Sequence, residues 1–537
     1  MSESFQSSAA LIAELFEQIG VAAWFGSPGS RNAPLLLALQ ETDIPHEMVL
    51  DERSAAHMAL GVAIATKRPA AVICTSGTAA LNYGPAIAEA FYQRVPLLVI
   101  TADRPPHLID QGHGQSIRQQ KLFDSHLRGK AHLELHDGSY DTVQLNSTRL
   151  REAVLNLTYG PVHINVPFDE PLYGRPTLPQ GFQGSYHVPI VSHEVGRERM
   201  PEFLSQVRRK MLIFGQDRPL GAVIQGLEML HDQGWVIVAE PLANVPKQFT
   251  VSLEEILNSG HELQQPDVVV TMGGAWMAKK AKAFLRGVPH LSVSPVAPHP
   301  DMFGNRRGVW PFTPQVIVPL LAAYNLAPPD EKWTNSYYRA KVRKRVNKGM
   351  TDLWIHHQMA KQDWTGWDIH WGNSMSVRYG SLMSSWGHYD EARHYGNRGV
   401  SGIDGSTSTA VGAAWIRERP TLLMTGELSA LYDLNGLLHR GVPPNFKTLI
   451  FNNSGGQIFR VIDGPKMTQD WPKYFEHQHQ WTFEHAAKHV GVNYLAVTST
   501  DDVAAALERL RMAPSALVVE VFTDPQASET AWRRRHE

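Results

Sequence analysis

A single cysteine in 537 residues, Cys74, leaves no partner for an intrachain disulfide and no second sulfur for a multi-cysteine metal site. A disulfide framework is therefore excluded, and a reducing compartment is expected. An excess of either charge is missing as well: fifty Lys and Arg stand against fifty-two Asp and Glu, a formal net charge of -2. Nothing global points to a nucleic-acid or anionic-membrane partner, so any anion chemistry must come from local clusters. No stretch reaches eighteen apolar residues, and no membrane span is expected. The N-terminal MSESFQSSAALIAELFEQIG is an acidic amphipathic helix pattern rather than a basic region leading into an apolar one, and a cytoplasmic chain is expected.

Length and alternation are what the chain does have. At 537 residues it exceeds one hydrophobic core, and three domains are the natural division. In the first third, the apolar stretches Ala22 to Phe25, Ala71 to Cys74, Leu97 to Ile100 and Val162 to Val166 alternate with helical patterns such as Ser54 to Thr66 and Ala79 to Tyr92. Such alternation predicts an α/β fold, a mostly parallel sheet with helices on both faces. Leu172 to Arg199, rich in Pro, Gly and polar residues, reads as a linker. A second α/β unit follows, with strands at Met211 to Phe214, Val236 to Ala239, Val268 to Met272 and Leu291 to Val293. No Gly-x-Gly-x-x-Gly opens it, so a dinucleotide site has no support. Beyond it the basic run YYRAKVRKRVNKG predicts a bridging helix with a solvated face.

The strand ends carry the chemistry. Gly26-Ser27-Pro28-Gly29-Ser30-Arg31 is a tight turn with hydroxyls and a guanidinium, and Asp51-Glu52-Arg53 opens a helix. Glu52 reads either as a residue favourable with the helix macrodipole or as a cleft carboxylate able to exchange a proton with a ring nitrogen. Thr75-Ser76-Gly77 lacks the preceding glycine of a Gly-x-Ser-x-Gly nucleophile elbow. Arg31, Arg104 and Arg118 sit in loops expected on one face, where planar forks recognise carboxylates, and together they suggest a substrate with several carboxylates. In the last third, Gly396 to Thr409 is a glycine-punctuated turn running into a small-residue helix, a good anion seat. His485 and His489, and His477 and His479, lack a third ligand and read as structural or exposed.

The stretch Thr421 to Phe459 predicts strand, turn, helix (about Ser429 to Arg440), strand, turn. Its two turns hold a carboxylate (Glu427), an amide (Asn453) and the glycines Gly455 and Gly456. On spacing alone they read either as two ordinary βα turns or as a hard-oxygen seat for Mg²⁺ beside a diphosphate.

Gly426-Glu427-Leu428 followed by Asn452-Asn453 resembles the fingerprint of thiamine-diphosphate-dependent enzymes, Gly-Asp-Gly and a downstream Asn-Asn. The flanks are similar to the menaquinone-pathway branch of that family. They are GSPGSRNAPL at Gly26, LDERSAAHMALG at Leu50, TSGTA at Thr75, TADRPP at Thr101, GNS at Gly372, NRGVSGIDGSTSTA at Asn397, LSALYDLN and NNSGGQIF.

The resemblance implies three doubly wound parallel-sheet domains: a pyrimidine-binding domain over 1–178, a central domain without cofactor over 190–330, and a diphosphate-binding domain over 345–537. It implies thiamine diphosphate with Mg²⁺ or Mn²⁺, and a homodimer or homotetramer with active sites between subunits. The implied reaction is decarboxylation of 2-oxoglutarate and 1,4-addition of the succinyl carbanion equivalent to isochorismate. Glu52 matches the carboxylate that contacts the aminopyrimidine. Glu427, Asn453 and Gly455 match the metal ligands, with Glu427 standing where the family has aspartate. Ser30, Arg31, Arg104, Gln115, Ser374, Arg378, Arg398 and Lys279 match residues that handle substrates.

Ile403 matches the wedge that bends the cofactor. Thr75, Ser374, Gly402, Asp404, Gly426, Leu428, Ser429, Gly456, Gln457, Ile458 and Phe459 complete the implied cofactor-binding set. The added methylene of Glu427 pushes its carboxylate outward, against the near-ideal geometry that Mg²⁺ demands, so the metal is expected to bind with altered affinity or preference. Two alternatives stand beside this reading. One is a different thiamine-diphosphate 2-oxo-acid lyase or synthase, which the missing flavin-site signal and the excess of arginines argue against. The other is a non-catalytic homologue that binds the cofactor.

Overall fold

The computed structural model describes residues 6–135, 137–189, 202–217, 223–324, 326–389, 391–438 and 441–537. Among them, three six-stranded sheets form in which every strand pair is parallel. The first holds β1 (Trp24–Gly26), β2 (His46–Met48), β3 (Ala70–Cys74), β4 (Leu97–Asp103), β5 (Gly129–His132) and β6 (Val162–Pro167). The middle sheet holds β7 (Lys210–Phe214), β8 (Val236–Ala239), β9 (Thr250–Val251), β10 (Val268–Met272), β11 (His290–Val293) and β12 (Arg306–Trp310). The third holds β13 (Asp368–Trp371), β14 (Arg393–Gly396), β15 (Thr421–Gly426), β16 (Phe446–Asn452), β17 (Asn493–Val497) and β18 (Leu517–Phe522). Central strands such as β3 and β10 are buried at every residue, because helices cover both faces of the sheet.

The first and third sheets share one strand order, β2-β1-β3-β4-β6-β5 and β14-β13-β15-β16-β18-β17. In both, the chain reverses its direction of winding between the first and third strands in sequence. Open α/β sheets hold ligands at such a reversal, at the carboxyl ends of the strands. The middle sheet runs β12-β11-β10-β7-β8-β9.

Two helices join the outer sheets. Glu52–Thr66 is buried from Ser54 to Ala65, and it lies against Ser406–Ile416, buried from Ser406 to Ala414. Their approach is set by glycine: a Cβ on Gly61 would stand 2.0 Å from the Thr409 carbonyl oxygen, and one on Gly412 would stand 2.2 Å from that of Met58. Main chain therefore rests on main chain.

Several expected elements differ. The helix expected over Ser429 to Arg440 is Glu427–Tyr432 followed by a 3₁₀ turn Leu434–Leu437, and Arg440 lies outside the described residues. It ends because Asp433 turns inward, its carboxylate accepting from the Ser408 N–H (2.7 Å) and Oγ (2.8 Å). Ala79 to Tyr92 divides into Thr78–Leu81 and Gly84–Gln93, with Pro85 restarting the helix where it needs no N–H. Of the basic run only Tyr337 and Tyr338 are helical, as the end of the helix Glu331–Tyr338. Beyond it Lys341, Arg343, Lys344 and Arg345 would crowd like charges at helical spacing, and the chain instead runs along the C-terminal segment, where Arg345 pairs with Glu537 at 2.6 Å. Of the expected linker, Leu172 and Tyr186 pack into the first core, and residues 190–199 lie outside the described residues.

Candidate active site

At the reversal between β13 and β15 lies a cavity of about 510 Å³. It collects Ser374, Arg378, Arg398, Ile403, Gly426, Glu427, Leu428, Ser429, Asn453, Gly455, Gly456, Gln457, Ile458 and Phe459, all of them expected from the sequence. Gly372-Asn373-Ser374 leaves β13 and enters the helix Met375–Ser385, whose first residues Met375 and Ser376 line the cavity, and a helix N-terminus suits an anion. Backbone strain gathers around it: Ser374, Ser401 and Ser454 hold φ of 69°, 71° and 62°.

Glu427 follows β15 directly, and its side chain is 2 % exposed. Burial raises its pKa, while His479 and the backbone donors counteract that rise. Its Oε1 accepts from the Gly455 N–H at 2.7 Å and faces His479 Nε2 at 3.2 Å. Asn453 donates through Nδ2 to Asp352 Oδ2 at 3.1 Å, which turns the other end of the amide the opposite way. That oxygen, Oδ1, is buried and has no hydrogen-bond partner. A buried amide oxygen left unmatched is costly unless something fills its place. The Gly455 carbonyl accepts only from the Gln457 N–H (2.9 Å) among backbone donors, leaving it a second lone pair. Among the described residues no cluster of three His, Cys, Asp or Glu could hold a metal. One carboxylate, one amide oxygen and one main-chain oxygen form instead the hard donor set that suits Mg²⁺ with positions left for phosphate.

On the far wall, Arg378 Nη1 donates to the Ser374 carbonyl, and Arg398 Nη1 donates to Asn373 Oδ1 at 2.9 Å. Burial lowers the pKa of both guanidiniums, and Arg398 adds to the effect on Arg378. Arg398 Nε is buried without a partner. Two partly desolvated cations side by side favour a multiply charged anion. From the middle sheet, Glu240 and Lys282 stand near enough to act on Arg398 electrostatically, and burial pushes the Glu240 carboxyl up to about 7.

Not every expected residue joins this wall. Gly402 serves through its carbonyl, which accepts from Asn373 Nδ2 at 2.5 Å. Asp404 faces His57 of the helix Glu52–Thr66, 4.0 Å away, instead of the cavity. The expected anion seat at the start of Ser406–Ile416 is filled by the Asp433 carboxylate. Lys279, at the start of the helix Lys279–Phe284, is exposed and outside the lining.

Ser30, Arg31, Thr75, Arg104, Gln115 and Glu52 also lie outside that lining, at the carboxyl ends of the first sheet. Gly29 packs on Thr75, where a Cβ would come within 2.3 Å, and Gln115 backs Gly77, where one would meet its Cα at 3.1 Å. Arg31 is buried, donating to the Phe168 carbonyl (3.0 Å) and pairing with Glu170 (3.3 Å). Arg104 acts on it electrostatically and donates to the Gly114 carbonyl at 2.9 Å. Arg118 turns away: 84 % exposed, it pairs with Asp110. Glu52 accepts from Asn82 Nδ2 at 3.2 Å, and desolvation raises its pKa. Glu52 is the acidic residue of the helix's first turn, and the N-cap is the neighbouring Asp51.

Two contacts behind the cavity carry no signal in the sequence. Asp352, which orients Asn453, looks like an ordinary first-turn acid after the N-cap Thr351. His479 belongs to a histidine pair whose spacing shows no ligand set, and its contact with Glu427 spans fifty-two positions.

Residues 6–122 match the family model for the N-terminal thiamine-pyrophosphate-binding domain of thiamine pyrophosphate enzymes. With three parallel sheets and this oxygen-lined cavity, the match defines the chain as a thiamine-diphosphate enzyme. Its curated relatives narrow the class. A protein of Flavobacterium johnsoniae is 33 % identical over 93 % of this chain and 92 % of its own length. One of Desulfotalea psychrophila is 32 % identical over 93 % and 95 %, and one of Bacteroides thetaiotaomicron 31 % over 96 % and 93 %. All three are named 2-succinyl-5-enolpyruvyl-6-hydroxy-3-cyclohexene-1-carboxylate synthase. The chain belongs to this synthase family.

Proposed function

We propose that the chain decarboxylates 2-oxoglutarate and joins the remaining succinyl unit to the ring alkene of isochorismate by 1,4-addition. The products are CO₂ and the compound named for its relatives, made in the cytoplasm for menaquinone biosynthesis. The observation that carries this reading is the buried Glu427 carboxylate beside the partnerless Asn453 Oδ1, in one cavity with Arg378 and Arg398. Those two oxygens and the Gly455 carbonyl would hold Mg²⁺ or Mn²⁺, and the start of Met375–Ser385 would receive the diphosphate. Ile403, exposed at the cavity edge, would support the bend of the cofactor. Bound thiamine diphosphate supplies an electron sink for the carbanion formed as CO₂ leaves.

The protein's own share is binding and proton placement. Both substrates are dianions at neutral pH, and Arg378, Arg398, Arg31 and Arg104 offer forks for their carboxylates, with Ser30, Gln115 and Ser374 as neutral donors and Lys279 at the margin. Glu52, its pKa raised by desolvation, would hold a proton at the aminopyrimidine nitrogen. In one chain Glu52 lies outside the cavity, and exposed apolar residues flank both: Leu50 and Leu81 near Glu52, Val400 and Ile403 near the cavity. This supports a homodimer, or a tetramer built from it, in which the first unit (1–178) of one subunit closes the third unit (345–537) of another. The unit over 190–330 binds no cofactor in this reading.

The test is CO₂ release from 2-oxoglutarate with Mg²⁺ and thiamine diphosphate, followed by isochorismate-dependent product. Release from pyruvate instead would indicate a different thiamine-diphosphate lyase. No release despite proven cofactor binding would leave a binding protein.

A further inference from the structure

The loop that presents Asn453 and Gly455 is held from outside by residues 476–481. The Gly456 N–H donates to the Glu476 carbonyl (2.6 Å), the His479 N–H to the Ser454 carbonyl (3.2 Å), and Asn452 Nδ2 to the Trp481 carbonyl (2.8 Å). Between this strap and β15 sits the His479 ring, its side chain 2 % exposed and stacked on Trp481 with centroids 4.7 Å apart.

The ring's hydrogen bonds fix its tautomer. The Trp481 N–H points at His479 Nδ1 from 3.1 Å, so Nδ1 is the acceptor. A neutral imidazole then carries its proton on Nε2, the atom 3.2 Å from Glu427 Oε1. Gly455 N–H adds a second bond to the same oxygen at 2.7 Å. With both donors on Oε1, the carboxylate is pinned by one oxygen, and Oε2 is the one left to turn toward a ligand. Glutamate needs such a hold more than aspartate would, because its side chain has one more rotatable bond to order.

We propose that His479 is a positioning residue that fixes the longer side chain of Glu427, so that a metal ligand one methylene too long still presents an oxygen at a defined place. This rests on the metal seat proposed above. It assigns His479 no proton transfer and no contact with substrate.

The test is Mn²⁺ binding, read from the free-ion paramagnetic resonance signal at saturating thiamine diphosphate, in the full-length protein. His479→Ala should weaken Mn²⁺ binding by roughly 10- to 100-fold, the usual cost of losing a residue that orients a ligand. His479→Gln, which keeps an N–H donor on a side chain of similar reach, should recover most of that loss. In a Glu427→Asp background, where the shorter carboxylate no longer meets the ring, His479→Ala should change affinity by less than about threefold, since the coupling is absent. Wild-type affinity in a folded His479→Ala protein would overturn the inference. So would an equal loss with glutamate or aspartate at 427, which would mark a general structural role. No Mn²⁺ binding by the wild-type chain would remove the metal seat, and this inference with it.

Discussion

Replacing Gly412 by alanine separates two effects of opposite sign. Within a helix, alanine is favoured over glycine by about 0.8–1 kcal/mol, so without tertiary contact the substitution should stabilise. Here the new methyl would stand 2.2 Å from the Met58 oxygen and 2.6 Å from the Met58 Cα. Carbon contacts settle near 3.5 Å, so the helices Ser406–Ile416 and Glu52–Thr66 would have to part by about 1 Å. Overpacking of this kind costs roughly 1–3 kcal/mol, and the high end applies because the opposing atoms are main chain and cannot rotate away. The expected net result is a loss of about 2 kcal/mol, read as a lower urea midpoint. Gly61→Ala, with its methyl 2.0 Å from the Thr409 oxygen, should act alike. The double variant should lose less than the sum, because the first methyl opens the gap that the second needs. A rise in midpoint for either single variant would refute the idea that these glycines set the distance between the outer sheets.

Glu52→Gln should keep thiamine-diphosphate affinity while lowering CO₂ release by about 10²- to 10⁴-fold, measured by cofactor titration beside single-turnover decarboxylation. Arg398→Ala should raise KM for one of the two dianions by about 10- to 100-fold, the equivalent of one charge-assisted hydrogen bond, in steady-state assays that vary each substrate. Burial pushes His163 down to about 3, so the folded chain keeps its ring neutral, whereas the unfolded chain protonates near 6.5. Its contribution is therefore present above pH 6.5 and is lost as pH falls toward 3, about 1.4 kcal/mol being gone by pH 5.5. His163→Gln should be less acid-sensitive than wild type by that amount between pH 7.5 and 5.5. The comparison of the two proteins is the readout, since Asp103, pushed up to about 6 by burial, contributes the opposite slope in both.

Central strands such as Ala70–Cys74 and Val268–Met272 were legible because parallel strands buried on both faces are written as apolar runs, whereas Asp368–Trp371, buried but carrying Asp and His, was not. The edges were not. His46–Met48, Arg306–Trp310 and Asn493–Val497 are partly exposed, and their sequences carry no such run. Glycine-rich turns marked the strand ends at which Glu427, Asn453 and Arg398 meet in one cavity, but spacing left their part open and only the family resemblance suggested one. What stayed hidden lies at long range. Asp433 filling the start of Ser406–Ile416, Asp352 turning Asn453 and His479 pinning Glu427 join segments 25, 101 and 52 positions apart. No local periodicity records such meetings. Glu427 shows the limit most clearly, since the sequence presents a glutamate where the fingerprint has aspartate and only the fold brings His479 to it.

The separation of Glu52 from the oxygen-lined cavity has a consequence for inheritance. If each reaction centre takes its carboxylate from one copy and its metal-binding wall from another, a gene damaged in either crevice alone still encodes the intact other half. A cell carrying a Glu52→Gln allele and a Glu427→Ala allele would then build mixed pairs with one whole centre and one doubly broken one. Two null alleles would complement, and two alleles damaged in the same crevice would not.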